Sequence, residues 1–284
     1  MSDFINSLCR SDLNFLRCAV LVGILMGPIL GVVGSLVVTR RITSLAGASA
    51  HAALGGVGLA LFCQRVLLWS WCSATVGAVA GAMISAIAVG IVSITAKERE
   101  DTVIGVVWAL GMSLGLLFLN RTPGYVDWQA YLFGNILLLS APDIWMTIAL
   151  NALVLIPTLL FYQTLLSISF DPVFAVLRGV RVNLFYLALL GVTAMTIVML
   201  MNIVGIMLVI AMLTLPGATA GCFTKHLWSM MVLATVLSWI FILSGIVLSY
   251  CWDLPTGPVI VVLAGIVYVA ALAVGKMRKQ GVQI

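Results

Sequence analysis

RCAVLVGILMGPILGVVGSLVVT, residues 17–39, decides the class of fold. Between Arg17 and the pair Arg40-Arg41 it holds no charged side chain. It also exceeds the roughly 20 mainly apolar residues that a helix needs to cross the hydrocarbon core of a bilayer. A secretory leader has a shorter apolar stretch and a small-residue cleavage site, so the run reads as a membrane span. Further runs of the same kind follow at about 43–63, 71–95, 102–120, 144–162, 183–201, 203–222, 228–251 and 257–275. The expected fold is all-α: a polytopic transmembrane helix bundle of about nine spans, or eight if the runs on either side of Asn202 merge. The apolar piece at 131–139, between Asp127 and Asp143, is too short to span and reads as a re-entrant or surface segment.

Bulk composition agrees, with 63% hydrophobic and 8% charged residues, against about 45–50% and about 25% in an ordinary soluble domain. The expected organisation is an N-terminal surface segment over 1–16, a membrane domain over 17–275 and a tail over 276–284. Nothing in the chain resembles a phosphate-binding loop, so any ATP hydrolysis belongs to another chain and an enzymatic role is not expected. The net charge of +5 comes from basic residues lying singly or in pairs at the ends of apolar runs. That is a topology signal and not a nucleic-acid surface.

Alternating the loops of the nine-span arrangement places ten basic residues on one side: Arg40, Arg41, Lys97, Arg99, Arg178, Arg181, Lys225, Lys276, Arg278 and Lys279. Arg10, Arg17, Arg65 and Arg121 fall on the other. The positive-inside rule makes the richer side cytoplasmic, together with the C-terminus. Six cysteines form no Cys-x-x-Cys pair and read as small apolar filler. Gly77, Gly81 and Ser85, four residues apart, form a stripe along which a neighbouring helix can approach closely.

The second run carries the most unusual residue, His51, in SLAGASAHAALGG (44–56). An ionisable side chain within a span is costly and by default a functional candidate. One helical turn away stand Gly47, Ala48, Leu54 and Gly55, so the imidazole lies on a nearly bare face against which another helix can pack. Imidazole there can hold a borderline cation such as zinc or manganese, or can simply hydrogen-bond a neighbouring carbonyl. Ser49 and His51 cannot form a hydrolytic pair, because residues two apart on a helix diverge.

A second constellation lies in a loop, SFDPVFAVLRG (169–179). Asp171 suits an N-cap, Pro172 the first helical position and Gly179 a left-handed terminus, which together specify a helix of about two turns. Val173, Phe174 and Leu177 are apolar on a loop that water reaches, so the helix either docks into a partner or lies along the membrane surface. The charge run at 97–101 reads as a solvated helix end, and Met199, Met201 and Met207 as packing residues. Asn202 can hydrogen-bond backbone groups freed between the sixth and seventh runs, or line a pathway.

These landmarks resemble the membrane permeases of ATP-binding-cassette importers for divalent metals, the zinc, manganese and iron group. The resemblance runs from about residue 20 to 275, through Arg40-Arg41 and SLAGASAHA (44–52), Lys97 to Gly105, YLFGNI (131–136), SFDP (169–172) to Gly179, VGIMLV (204–209) and PGATA (216–220). It implies a multi-pass protein of a bacterial-type plasma (inner) membrane. Its partners would be a second permease subunit (homodimer or heterodimer), a cytosolic ATPase and an extracytoplasmic metal-binding protein. No cofactor is held permanently, and a divalent metal ion passes through. Asp171, Pro172, Phe174, Ala175, Leu177 and Gly179 would form the coupling helix that receives the ATPase stroke. His51 matches the family's histidine in the second span, but many members carry an Asp four residues earlier, where this chain has Gly47. The resemblance leaves His51 to act alone, with its counterpart in the second subunit, or with backbone carbonyls.

Overall fold

Each long apolar run becomes a helix, because in lipid a backbone can satisfy its N–H and C=O groups only within itself. The computed structural model describes residues 14–95, 100–124, 132, 134 and 141–280, and only the backbone of 14–16, 100, 101, 141 and 276–280. In chain order the helices are α1 (Asn14–Thr39), α2 (Thr43–Val66), α3 (Ala74–Thr95), α4 (Glu100–Arg121), α5 (Ala141–Leu160), α6 (Tyr162–Phe170), α7 (Pro172–Leu177), α8 (Val182–Val204), α9 (Ile206–Phe223), α10 (Leu227–Trp252) and α11 (Thr256–Gln280). Among the described residues, 9 helices are long and apolar enough to cross a membrane. The charge run at 97–101 and the N-terminal segment over 1–13 fall on residues whose side chains or placement lie outside this description. The 131–139 piece does so too, apart from Leu132 and Gly134.

One boundary differs from the sequence reading. The sixth and seventh spans do not part at Asn202, which lies inside α8; the break is Gly205, at φ 84° and ψ 159°. Only glycine enters that region of backbone space without strain, so the residue able to break the helix sets the break. Gly134, at φ 61°, packs against it: a Cβ there would collide with the Val204 carbonyl and the Gly205 nitrogen. At the C-terminal end α11 continues past the last span to Gln280.

One compact unit contains α1, α5, the chain from Ile203, and α9 to α11. Its centre is α1, whose Gly23, Gly27 and Gly31 face Ile242, Trp239 and Thr235 of α10, while Gly34 faces the Leu213 carbonyl of α9. Pro28 inside α1 has no N–H and so frees the carbonyl of Ile24, four residues earlier. The Trp239 indole Nε1–H donates to that carbonyl at 2.8 Å. Asn151 of α5 donates through Nδ2 to the next one, that of Leu25, also at 2.8 Å. A proline inside the span is tolerated because two neighbouring helices satisfy its surroundings.

The second unit contains α2, α3, α4, the chain from Gln163 through α7, and α8 as far as Asn202. Here α2 is the centre, with glycine on two faces. Toward α3, Gly56 meets Gly77 and Gly81 backbone to backbone. Toward α4, Cβ atoms built at Gly55 and Gly111 would lie 2.6 Å from the Gly111 carbonyl oxygen and 2.7 Å from Ala52 Cα. Gly77 and Gly81 of the stripe read from sequence thus form the seam against α2, and Ser85 of the same stripe is buried. Such seams gain dispersion contact where lipid supplies no hydrophobic drive.

Candidate functional site

His51 projects from the middle of α2 toward α4, and Trp108 of α4 meets it. The two rings stack with centroids 4.9 Å apart and planes at 21°. Gly47, one turn before His51, makes this possible, since a Cβ there would lie 2.5 Å from Trp108 Cζ3 and 2.7 Å from Cη2. The indole therefore lies against the position where a longer side chain at 47 would begin. Trp108 was not among the residues singled out from sequence; the signal that could have found it is the bare Gly47 face, which needs a large partner.

Close packing leaves polar atoms stranded. His51 Nδ1 and Ser49 Oγ are buried without a hydrogen-bond partner, as is Ser85 Oγ on α3. A histidine kept only for structure would ordinarily donate to a carbonyl, as the buried threonines and Ser238 of this chain do. His51 Nδ1 does not. Ser49 makes no bond to His51, in keeping with their divergence on the helix. Among the described residues no group of three His, Cys, Asp or Glu side chains gathers that could hold a metal.

An apolar cleft of about 510 Å³ begins beside this site. Ala52, Gly55 and Gly111 line its inner end, Leu59 and Ala80 its middle, and Cys63, Trp69, Trp71 and Cys72 its other end. It is the trough between α3 and α4 with the glycine face of α2 as its floor.

The loop helix forms as its capping residues specify. The Phe174 N–H donates to Asp171 Oδ1 at 2.9 Å, Pro172 starts α7, and Gly179 takes φ 79°. Leu177 is 80% exposed, Val173 70% and Phe174 45%, the Phe174 ring lying under the Arg178 guanidinium at 4.6 Å. Pro172 is exposed as well, but Ala175 is fully buried. Ala175 therefore faces inward and seats the helix. Asn202 is exposed on α8. Met201 is buried and Met207 exposed.

The model of the ABC 3 transport family matches residues 12–275. The chain belongs to the ABC 3 transport family. As a member it is an integral membrane transport subunit, and its helices account for nearly all of the match. Relatives of this ABC 3 chain include an uncharacterised membrane protein of Synechocystis, 38% identical over 92% of this chain and 90% of the relative. The manganese transport system membrane protein MntC of Halalkalibacterium halodurans is 35% identical over 95% of this chain and 89% of its own. Among solved structures, PsaBC from Streptococcus pneumoniae in complex with Fab superposes with a TM-score of 0.82 at 27% identity, covering 95% of this chain and 94% of that one.

Proposed function

We propose that this ABC 3 permease carries a divalent metal ion, manganese or zinc first and iron next, inward across a bacterial-type plasma membrane, with His51 as a ligand met on the way. The observation that carries the reading is the buried, unpartnered Nδ1 of His51, a donor atom kept free at a cost of about 1–3 kcal/mol for a desolvated polar group. Supporting it, relatives that match over most of their length bear the name of manganese transport proteins, from Halalkalibacterium halodurans and from Listeria.

A single imidazole per chain makes a weak site, which suits a cargo that must leave again. With glycine at 47, the remaining ligands come from a second permease subunit, from backbone carbonyls or from water. Manganese prefers oxygen ligands and zinc accepts imidazole readily, so one histidine among oxygens admits both. The ATPase is a separate cytosolic chain that grips the exposed Val173, Phe174 and Leu177 of α7, and its opening and closing drives alternating access. An extracytoplasmic binding protein delivers the metal. The C-terminus and α7 are cytoplasmic, by the asymmetry of Lys and Arg.

Growth of cells that depend on this system, rescued by manganese, zinc or iron supplied one at a time, tests the reading. Rescue by manganese or zinc that disappears with His51→Ala is expected. Rescue that survives His51→Ala removes the histidine from the pathway.

A further inference from the structure

The chain leaves α2 by a sharp reversal. Leu68 adopts φ 57°, a left-handed conformation uncommon for a branched side chain, and the Trp69 N–H returns to the Cys63 carbonyl at 3.2 Å. The Cys72 N–H then donates to the Trp69 carbonyl at 3.1 Å. These two bonds fold the loop back over the end of α2, so that Cys72 comes beside Cys63. Both residues are half-buried, both are free thiols, and both line the same end of the cleft. Beside them Trp69 and Trp71 stack at 5.7 Å and stand 48% and 68% exposed, as aromatic side chains do at the level of lipid headgroups.

We infer that Cys63 and Cys72 form a redox-modification site, a dithiol that closes to a disulfide across the α2–α3 corner by exchange with a thiol–disulfide exchanger. One thiol of the pair, deprotonated, attacks the exchanger's disulfide and expels one exchanger thiol. The other then attacks the mixed disulfide and expels the second, so the pair loses two electrons and two protons and the exchanger gains them. The bond ties the last turns of the His51 helix to the loop that opens α3. Burial, and then the neighbouring Cys63, push the Cys72 thiol up, so closure is faster at alkaline pH. The neighbouring tryptophans place the corner where such an exchanger can reach it, and the charge-based orientation proposed above puts it on the extracytoplasmic face.

The full chain, purified in detergent and treated with oxidised glutathione, provides the test by counting alkylatable thiols and by peptide mass. Loss of two thiols, and a linked peptide pair containing residues 63 and 72 that is lighter by two hydrogens, is the expected result. In Cys63→Ser and Cys72→Ser variants the remaining partner should stay alkylatable. Persistence of both thiols in the wild type, or pairing of either with another cysteine, overturns the inference. A membrane-impermeant alkylating reagent on intact cells should label Cys72 of the reduced protein. Labelling only after the cells are opened overturns the extracytoplasmic exchanger and the orientation behind it, a result separate from the mass test.

Discussion

The imidazole of His51 and the indole of Trp108 lie face to face, 4.9 Å between centroids, in space that Gly47 leaves open. Aromatic contacts of this kind contribute about 0.5–1.5 kcal/mol beyond area burial, enough to hold one imidazole orientation over its alternatives. On the proposed reading the indole takes a positioning role, on the face where a side chain longer than glycine at 47 would begin.

This predicts a coupled pair. Gly47→Asp alone overpacks the seam, at a cost of about 1–3 kcal/mol, and should lower both thermal stability and metal uptake. Adding Trp108→Ala to Gly47→Asp makes room for the carboxylate, so the double variant should recover uptake relative to Gly47→Asp. Additive losses in a double-mutant cycle would show that the two positions do not interact.

The loop helix yields a second expectation. Replacing the cap, Asp171→Ala, should cost about 1 kcal/mol and weaken copurification of the cytosolic ATPase without abolishing it. Phe174→Asp with Leu177→Asp places charge on the exposed apolar face and should abolish copurification. An unchanged complex in pull-down from membranes would mean that the ATPase docks elsewhere.

Backbone contact between α2 and α3 sets a third. Gly56→Leu drives a side chain into the carbonyl of Gly77, and the helices must separate. Loss of the folded protein in detergent, read by thermal unfolding, should exceed that of Gly105→Leu, because Gly105 has open space around its Cβ position. Equal losses would locate the effect in the helix and not in the seam.

Trp239→Phe keeps the aromatic ring and removes only the donor to the Ile24 carbonyl. The carbonyl left bare by Pro28 then lacks its partner, and stability should fall by about 0.6–1.7 kcal/mol, the range of hydrogen bonds between membrane helices. Pro28→Ala in the same background restores the N–H in α1 and should return most of the loss. No recovery would show that the indole does not serve the proline's carbonyl.

Much of this architecture was legible in the sequence because lipid imposes one rule on every span. The run at 17–39 and its successors had to be helices, and the cap at Asp171 with the stop at Gly179 is local chemistry. Contacts between helices were less accessible. Asn202 looked like a break because it is the one polar residue between two apolar runs, yet glycine, not polarity, lets the backbone turn, and Gly205 does so. Ala175 lies on the inner face of its helix, which a short segment without strong periodicity does not declare. Trp108 reads as one more aromatic in a span, and only the packing of α4 on α2 reveals it. Cys63 and Cys72 match no spacing motif, since a reversal at Leu68 and not a helical period brings them together.

The central claim, that a divalent metal passes this chain by way of His51, is tested most directly by radiolabelled manganese uptake. Cells should express the permease with its ATPase and binding protein, and wild type should be compared with His51→Ala at matched membrane levels. The account predicts ATP-dependent uptake, competed by zinc, that is lost in His51→Ala while the ATPase still copurifies. Undiminished uptake by the variant, or no metal uptake by the intact wild-type assembly, would contradict it.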